Sequence, residues 1–145
     1  MAASALYSRD ILRLAASIPH LGLPEDVPVR VEKSSPVCGS RVTIAIRTDG
    51  EGRVSALGQE VRACALGQAS AALMGRHAIG RSAGELRAAH EALAAYLRGA
   101  RDDPGDWPGL DIFDAARGYP ARHAAILLAF DAAADAADAA SKARG

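Results

Sequence analysis

Cys38 and Cys64, the two cysteines of this 145-residue chain, are the side chains best suited to nucleophilic sulfur chemistry or to binding a soft metal. A thiolate attacks electrophilic sulfur, and two thiolates supply half of a tetrahedral zinc or iron shell. They form no C-x-x-C motif, so a metal would need ligands from elsewhere. His20, His77, His90 and His123 are available by type. His90 lies beside Glu91 in the middle of a predicted helix and reads as structural. His123, near the start of the last predicted helix, is the better third ligand. The opposing reading is that both cysteines are small core residues, because free Cys is among the most buried residue types.

The elements around the cysteines bring them together. Val42, Ile44 and Ile46 alternate with Arg41, Thr43, Ala45 and Arg47, the period-two pattern of a half-buried strand. Asp49-Gly50-Glu51-Gly52 is a hairpin signal, and the return strand runs from Arg53 to about Ala63. With the turn centred between Gly50 and Glu51, residue 38 faces residue 63, and both thiols reach the same end of the sheet. Cys64 then opens a helix predicted over Ala65 to Met74, whose free N–H groups attract an anionic sulfur. Pro36 and Gly39 shape an exposed loop around Cys38.

Elsewhere, Leu6 to Ser17 has helical spacing, and Pro19, Gly22, Pro24 and Pro28 force an extended path into a strand over Val29 to Lys33. Ser82 and Glu85 form a capping-box pattern ahead of Leu86, Ala89, His90, Leu93 and Leu97, and that helix ends near Gly99. Asp102 to Pro108 is a loop with Trp107 as its anchor. A short helix follows over Leu110 to Arg117. Pro120 starts the last helix, Ala121 to Ala140, with Asp131, Asp135 and Asp138 on its solvent side. The order predicts an α+β domain spanning 1–145, its core at about 5–140: an N-terminal helix, a three-stranded antiparallel sheet, then several helices packed on one face.

Seventeen basic and seventeen acidic side chains, with no block of either sign, argue against a nucleic-acid groove. The absence of a long apolar run argues against a membrane span, and a soluble cytoplasmic protein is expected. Aromatic residues are 4% of the chain, so the core must be aliphatic and alanine-rich.

Several motifs together resemble the U-type iron–sulfur cluster scaffold family: IscU, the N-terminal domain of NifU and, above all, SufU. Leu6 to Leu12 is similar to the family's opening helix, Pro36-Val37-Cys38-Gly39-Ser40 to its P-x-C-G-D loop, and Asp49-Gly50 to Val54 to the following hairpin. The most specific run is Ala63-Cys64-Ala65-Leu66-Gly67-Gln68-Ala69-Ser70-Ala71-Ala72-Leu73-Met74, which resembles G-C-A-x-x-x-A-S-A-S-x-M. Gly80-Arg81-Ser82 is similar to the G-K-[ST] of the next helix. Pro120-Ala121-Arg122 and Leu127 to Asp131 are similar to the flanks of P-x-R-x-x-C-A-L-L-A-W-D. The long spacer from Gly80 to Pro120 matches SufU, and the L-P-P-V-K motif of IscU is absent. The likeness covers roughly residues 5 to 135.

This resemblance implies a SufE/NifU-like fold and a labile iron–sulfur cluster, iron or zinc, held by three cysteines and an aspartate. Two of those ligands map onto Cys38 and Cys64. Ser40 stands in place of the aspartate and Ala125 in place of the third cysteine. Alanine cannot ligate, and a serine hydroxyl replaces a carboxylate poorly. Three readings follow. A scaffold would take sulfur or iron and pass it to client or carrier proteins, with its metal bound weakly, helped by His123 or a small thiol, or shared between the chains of a homodimer. A docking or regulatory module would bind a cysteine desulfurase without metal. A metal-free carrier would accept persulfide on Cys38, whose loop presents the reactive cysteine.

Overall fold

The computed structural model describes residues 6–36 and 39–144; Val37 and Cys38 lie outside them. Ser8 caps α1 (Arg9–Ala15), its hydroxyl accepting from the Ile11 N–H at 3.3 Å, and Ile11 and Leu14 are buried. The α-helix is shorter than its periodicity suggests, because Pro19 disfavours helical backbone just before it.

Strands β1 (Arg30–Ser35), β2 (Ser40–Thr48) and β3 (Val54–Arg62) form an antiparallel sheet in the order β1-β2-β3. Val42, Ile44 and Ile46 point inward and are buried. Ala45, expected on the solvent side, is also fully buried, because the segment between α1 and β1 crosses the outer face there. Its cross-strand partner Gly58 must be glycine: a Cβ would lie 2.4 Å from the Gly22 carbonyl oxygen and from Pro24.

The hairpin register differs from the symmetric expectation, in which Arg41 faces Glu60. Arg41 pairs with Arg62 instead. The turn closes between Asp49 and Arg53, centred on Glu51, with Gly52 at φ 78°. A bulge then leaves Ser55 unpaired between Arg47↔Ala56 and Thr48↔Val54. Each irregularity shifts the partner by one residue. The predicted facing of residues 38 and 63 falls on Cys38, which lies outside the described residues.

The helices α2 (Ala65–His77), α3 (Ala83–Leu97) and α4 (His123–Arg144) complete the domain. α4 lies on β1 and β2, flanked by α2 and α3. Its Ala129, Ala132, Ala133, Ala136 and Ala137 are fully buried, so small side chains allow close packing on every side. Ser82 caps α3 in the expected capping box with Glu85. Trp107 anchors its loop, its indole N–H donating to the Leu73 carbonyl at 3.0 Å and its ring edge-on to Phe130. Leu110–Gly118 winds as a 3₁₀ helix, followed by a second over Pro120–Arg122. Leu110, Phe113 and Ala116 are buried at intervals of three, the period of that tighter helix.

The aspartates of α4 are not all solvated. Asp131 and Asp135 pair with Lys33 of β1 at 3.6 and 2.7 Å, and both also pair with Arg87 of α3. Burial raises the cost of charge on Asp131, but Arg87 and Lys33 outweigh it and hold its pKa below the ordinary value. Among the described residues, no helix is long and apolar enough to cross a membrane.

Candidate functional site

Cys64 occupies the N-cap of α2, at φ −66° and ψ 170°, and its carbonyl accepts from the Gln68 N–H at 2.9 Å. Its side chain makes no capping hydrogen bond, and the thiol is free and half-buried. Sulfur chemistry at Cys64 would therefore cost the fold no hydrogen bond.

One turn into α2, Gly67 brings the start of α4 against this point. A Cβ on Gly67 would lie 2.7 Å from the Ala63 Cβ and 3.1 Å from the Ala125 carbonyl oxygen. The buried Ser70 hydroxyl secures the contact by donating to the Ile126 carbonyl at 2.5 Å. On the sheet side, Arg41↔Arg62 is the last pair of the β2–β3 ladder, and one further step sets Ser40 opposite Ala63. Ala125 thus lies against α2 one turn beyond Cys64, and Ser40 begins β2 at the same end of the sheet. Ser40 is 2% exposed and Ala125 1% exposed. Both positions at which the family resemblance expects a ligand are therefore buried.

The histidines are dispersed. The Nε2 of His123 lies 2.9 Å from the Ala116 carbonyl oxygen, so that nitrogen is engaged by backbone. His77 ends α2, one helix length of about 20 Å from Cys64, and packs edge-on to Trp107. His90 is half-buried in α3, its Nδ1 without a hydrogen-bond partner among the described residues, and burial lowers its pKa. His20 belongs to the segment clamped on β3, its carbonyl accepting from the Gln59 N–H at 2.9 Å. Among the described residues, no group of three or more His, Cys, Asp or Glu side chains is placed to hold a metal ion. A cleft of about 530 Å³ lies between α1, the C-terminal half of α2 and the 3₁₀ helix, lined by Asp10, Arg13, Arg76 and Ile112. It is remote from Cys64.

A pair of residues that the sequence reading did not single out stands beside Cys64. Arg41 and Arg62 face each other across the ladder, both exposed on the outer side of the sheet. Their types were visible in the sequence; their juxtaposition depends on the register set by the bulge.

No protein-family model matches this sequence, and no curated protein matches it. Solved structures do. The crystal structure of a nitrogen-fixing NifU-like protein (N-terminal) from Brucella abortus is similar over 100% of both chains, at TM-score 0.90 and 34% identity. A putative iron–sulfur cluster assembly scaffold protein for the SUF system from thermophilic Fervidobacterium islandicum AW-1 is similar over 91% of this chain and 96% of its own. Its TM-score is 0.82 at 23% identity, a likeness of fold.

Proposed function

Because the chain belongs to the NifU-like N-terminal domain family, we propose that it is a scaffold-like protein of iron–sulfur cluster assembly, accepting sulfur or iron for transfer to client and carrier proteins. A cysteine desulfurase is the proposed sulfur donor. The observation that carries this reading is the free, half-buried Cys64 at the junction of β3 and α2. Cys38 stands two residues before Ser40, which begins β2 at the same end.

Cys38 is the proposed acceptor. Its thiolate attacks the outer sulfur of the donor's persulfide. The donor S–S bond breaks, the donor cysteine leaves as a thiolate, and Cys38 carries the transferred sulfur as a new persulfide. The exchange needs no external oxidant. Cys64, at a strand–helix junction, is the proposed second thiol.

The donors on one chain do not fit a complete cluster, iron or zinc shell. Ala125 has no donor atom, Ser40 offers only a buried neutral hydroxyl, and the His123 Nε2 already faces a carbonyl. Two chains of a homodimer, or donors from a partner, would have to complete any centre formed on Cys38 and Cys64. This closure of the ligand positions favours a second reading, in which the chain is a metal-free persulfide carrier or a docking module for the desulfurase.

Incubation with a cysteine desulfurase and ³⁵S-cysteine, followed by persulfide trapping, is expected to label Cys38. Label on Cys64 alone would overturn the acceptor assignment, and label on neither would leave the docking module. Metal content after purification without oxygen is expected to fall well below one iron or zinc per chain. A stoichiometric value would show that a shell is present after all.

A further inference from the structure

The two ends of the β2–β3 hairpin treat their arginines differently. Near the turn, Arg47 pairs with Asp26 at 3.3 Å and Arg53 with Glu85 at 3.1 Å. At the cysteine end, Arg41 and Arg62 oppose each other directly, exposed on the outer face. Among the described residues, neither guanidinium has a hydrogen bond or ion pair. Like charges directly opposite in an antiparallel pair destabilise it, so these two arginines do nothing for the fold that would account for their placement.

Their surroundings define what would satisfy them. The next outward-facing row, about 7 Å along the strands, is Glu32, Thr43 and Glu60. The outer sheet therefore presents a cationic row at the cysteine end and an anionic row behind it. A continuous polyanion would be repelled by the second row, and a formal net charge of zero gives it no long-range attraction. A folded protein surface with paired carboxylates over the arginines, and a cation facing the glutamates, matches both rows. The arginine row borders Ser40 on β2 and Ala63 and Cys64 after β3.

We infer that the Arg41–Arg62 row is the docking surface for an acidic patch on the sulfur-donating protein partner, seating that partner at the Cys64 end of the sheet; this rests on the sulfur-acceptor reading above. Charges of this kind steer encounter and fix orientation, and their contribution weakens with salt.

The test uses the full chain with a cysteine desulfurase, measuring Kd at low and at physiological salt. Reversal of both charges, R41E/R62E, is expected to weaken binding by about tenfold or more, whereas R41K/R62K and the control R47E at the other end bind like the parent. Sulfuration of the thiols by inorganic polysulfide, which needs no docking, is expected to be equal in all variants. Equal affinity of R41E/R62E and parent would overturn the inference while leaving sulfur acceptance intact, and so would an equal loss in R47E. A parent that fails to bind would remove the sulfur-acceptor reading and this inference with it. If the reversal lowers the melting temperature, R41Q/R62Q, which removes the repulsion, decides by the same criterion.

Discussion

The turn end and the cysteine end of one hairpin are built from the same two strands, yet their polar groups have opposite fates. At the turn, the Asp49 carboxylate accepts from the Glu51 and Arg53 N–H groups at 2.9 and 3.0 Å. Val54 exchanges backbone hydrogen bonds with Gly80 and Arg81, and Arg53 reaches both the Gly80 carbonyl and Glu85. The Ser82 N–H, the largest cause, holds the Glu85 carboxyl below its ordinary pKa. At the other end, among the described residues, the Cys64 thiol is free and the facing Arg41 and Arg62 are unpaired, although Gly67 packs closely against Ala63 and the Ala125 carbonyl. The contrast teaches that close backbone packing at Gly67 coexists with uncommitted side chains at Cys64, Arg41 and Arg62 among the described residues. A closely packed platform with unspent donors suits a surface that meets a partner.

The largest effect is expected from changing what the cysteine end can hold. Ser40→Asp with Ala125→Cys adds two anionic ligands to Cys38 and Cys64, completing a tetrahedral set for zinc. At a thousandfold excess over Kd, zinc would stabilise that variant by about 4 kcal/mol, read as a raised Tm, and leave the parent almost unmoved. An equal response in the parent would mean that it already has a full shell. No response in the variant would mean that position 125 does not face the cysteines.

Gly67→Val tests the rigidity of the same end. With Ala63 and the Ala125 carbonyl already within 2.7 and 3.1 Å of the new Cβ, a loss of about 1–3 kcal/mol is expected, measured by urea unfolding. Undiminished stability would show that α2 and α4 can separate there. At the turn end, Ser82→Ala removes the cap of α3 and is expected to cost about 1 kcal/mol. An effect below the error of the unfolding curve would place the stability of that end in the ion pairs instead.

The smallest effect has the opposite sign. Arg41→Glu replaces a like-charge cross-strand pair by an opposite-charge one and is expected to add about 0.2–1 kcal/mol. A lower melting temperature would reveal an intramolecular role for Arg41 and weaken the contrast between the two ends.

The local features were legible because neighbours in the chain decide them. The alternation through Val42, Ile44 and Ile46 predicted β2, Asp49 to Gly52 the turn, Ser82 and Glu85 the cap, and Cys64 the start of α2. The family resemblance singles out Ser40 and Ala125 as expected departures, since residue type alone tells that alanine has no donor atom and serine only a neutral hydroxyl. The burial of Ala45, the ties of Asp131 and Asp135 to Lys33 and Arg87, and the opposition of Arg41 to Arg62 were not legible. A two-residue change of register leaves every side chain on its own face, so periodicity is blind to it. The sequence by itself determined the element order, the two thiols and the two missing ligands, through effects that reach only a few residues. Tertiary structure alone decided that Ser40 and Ala125 are buried and that Arg41 and Arg62, unpaired among the described residues, face each other at the Cys64 end of the sheet, because packing and cross-strand pairing depend on contacts between distant parts of the chain.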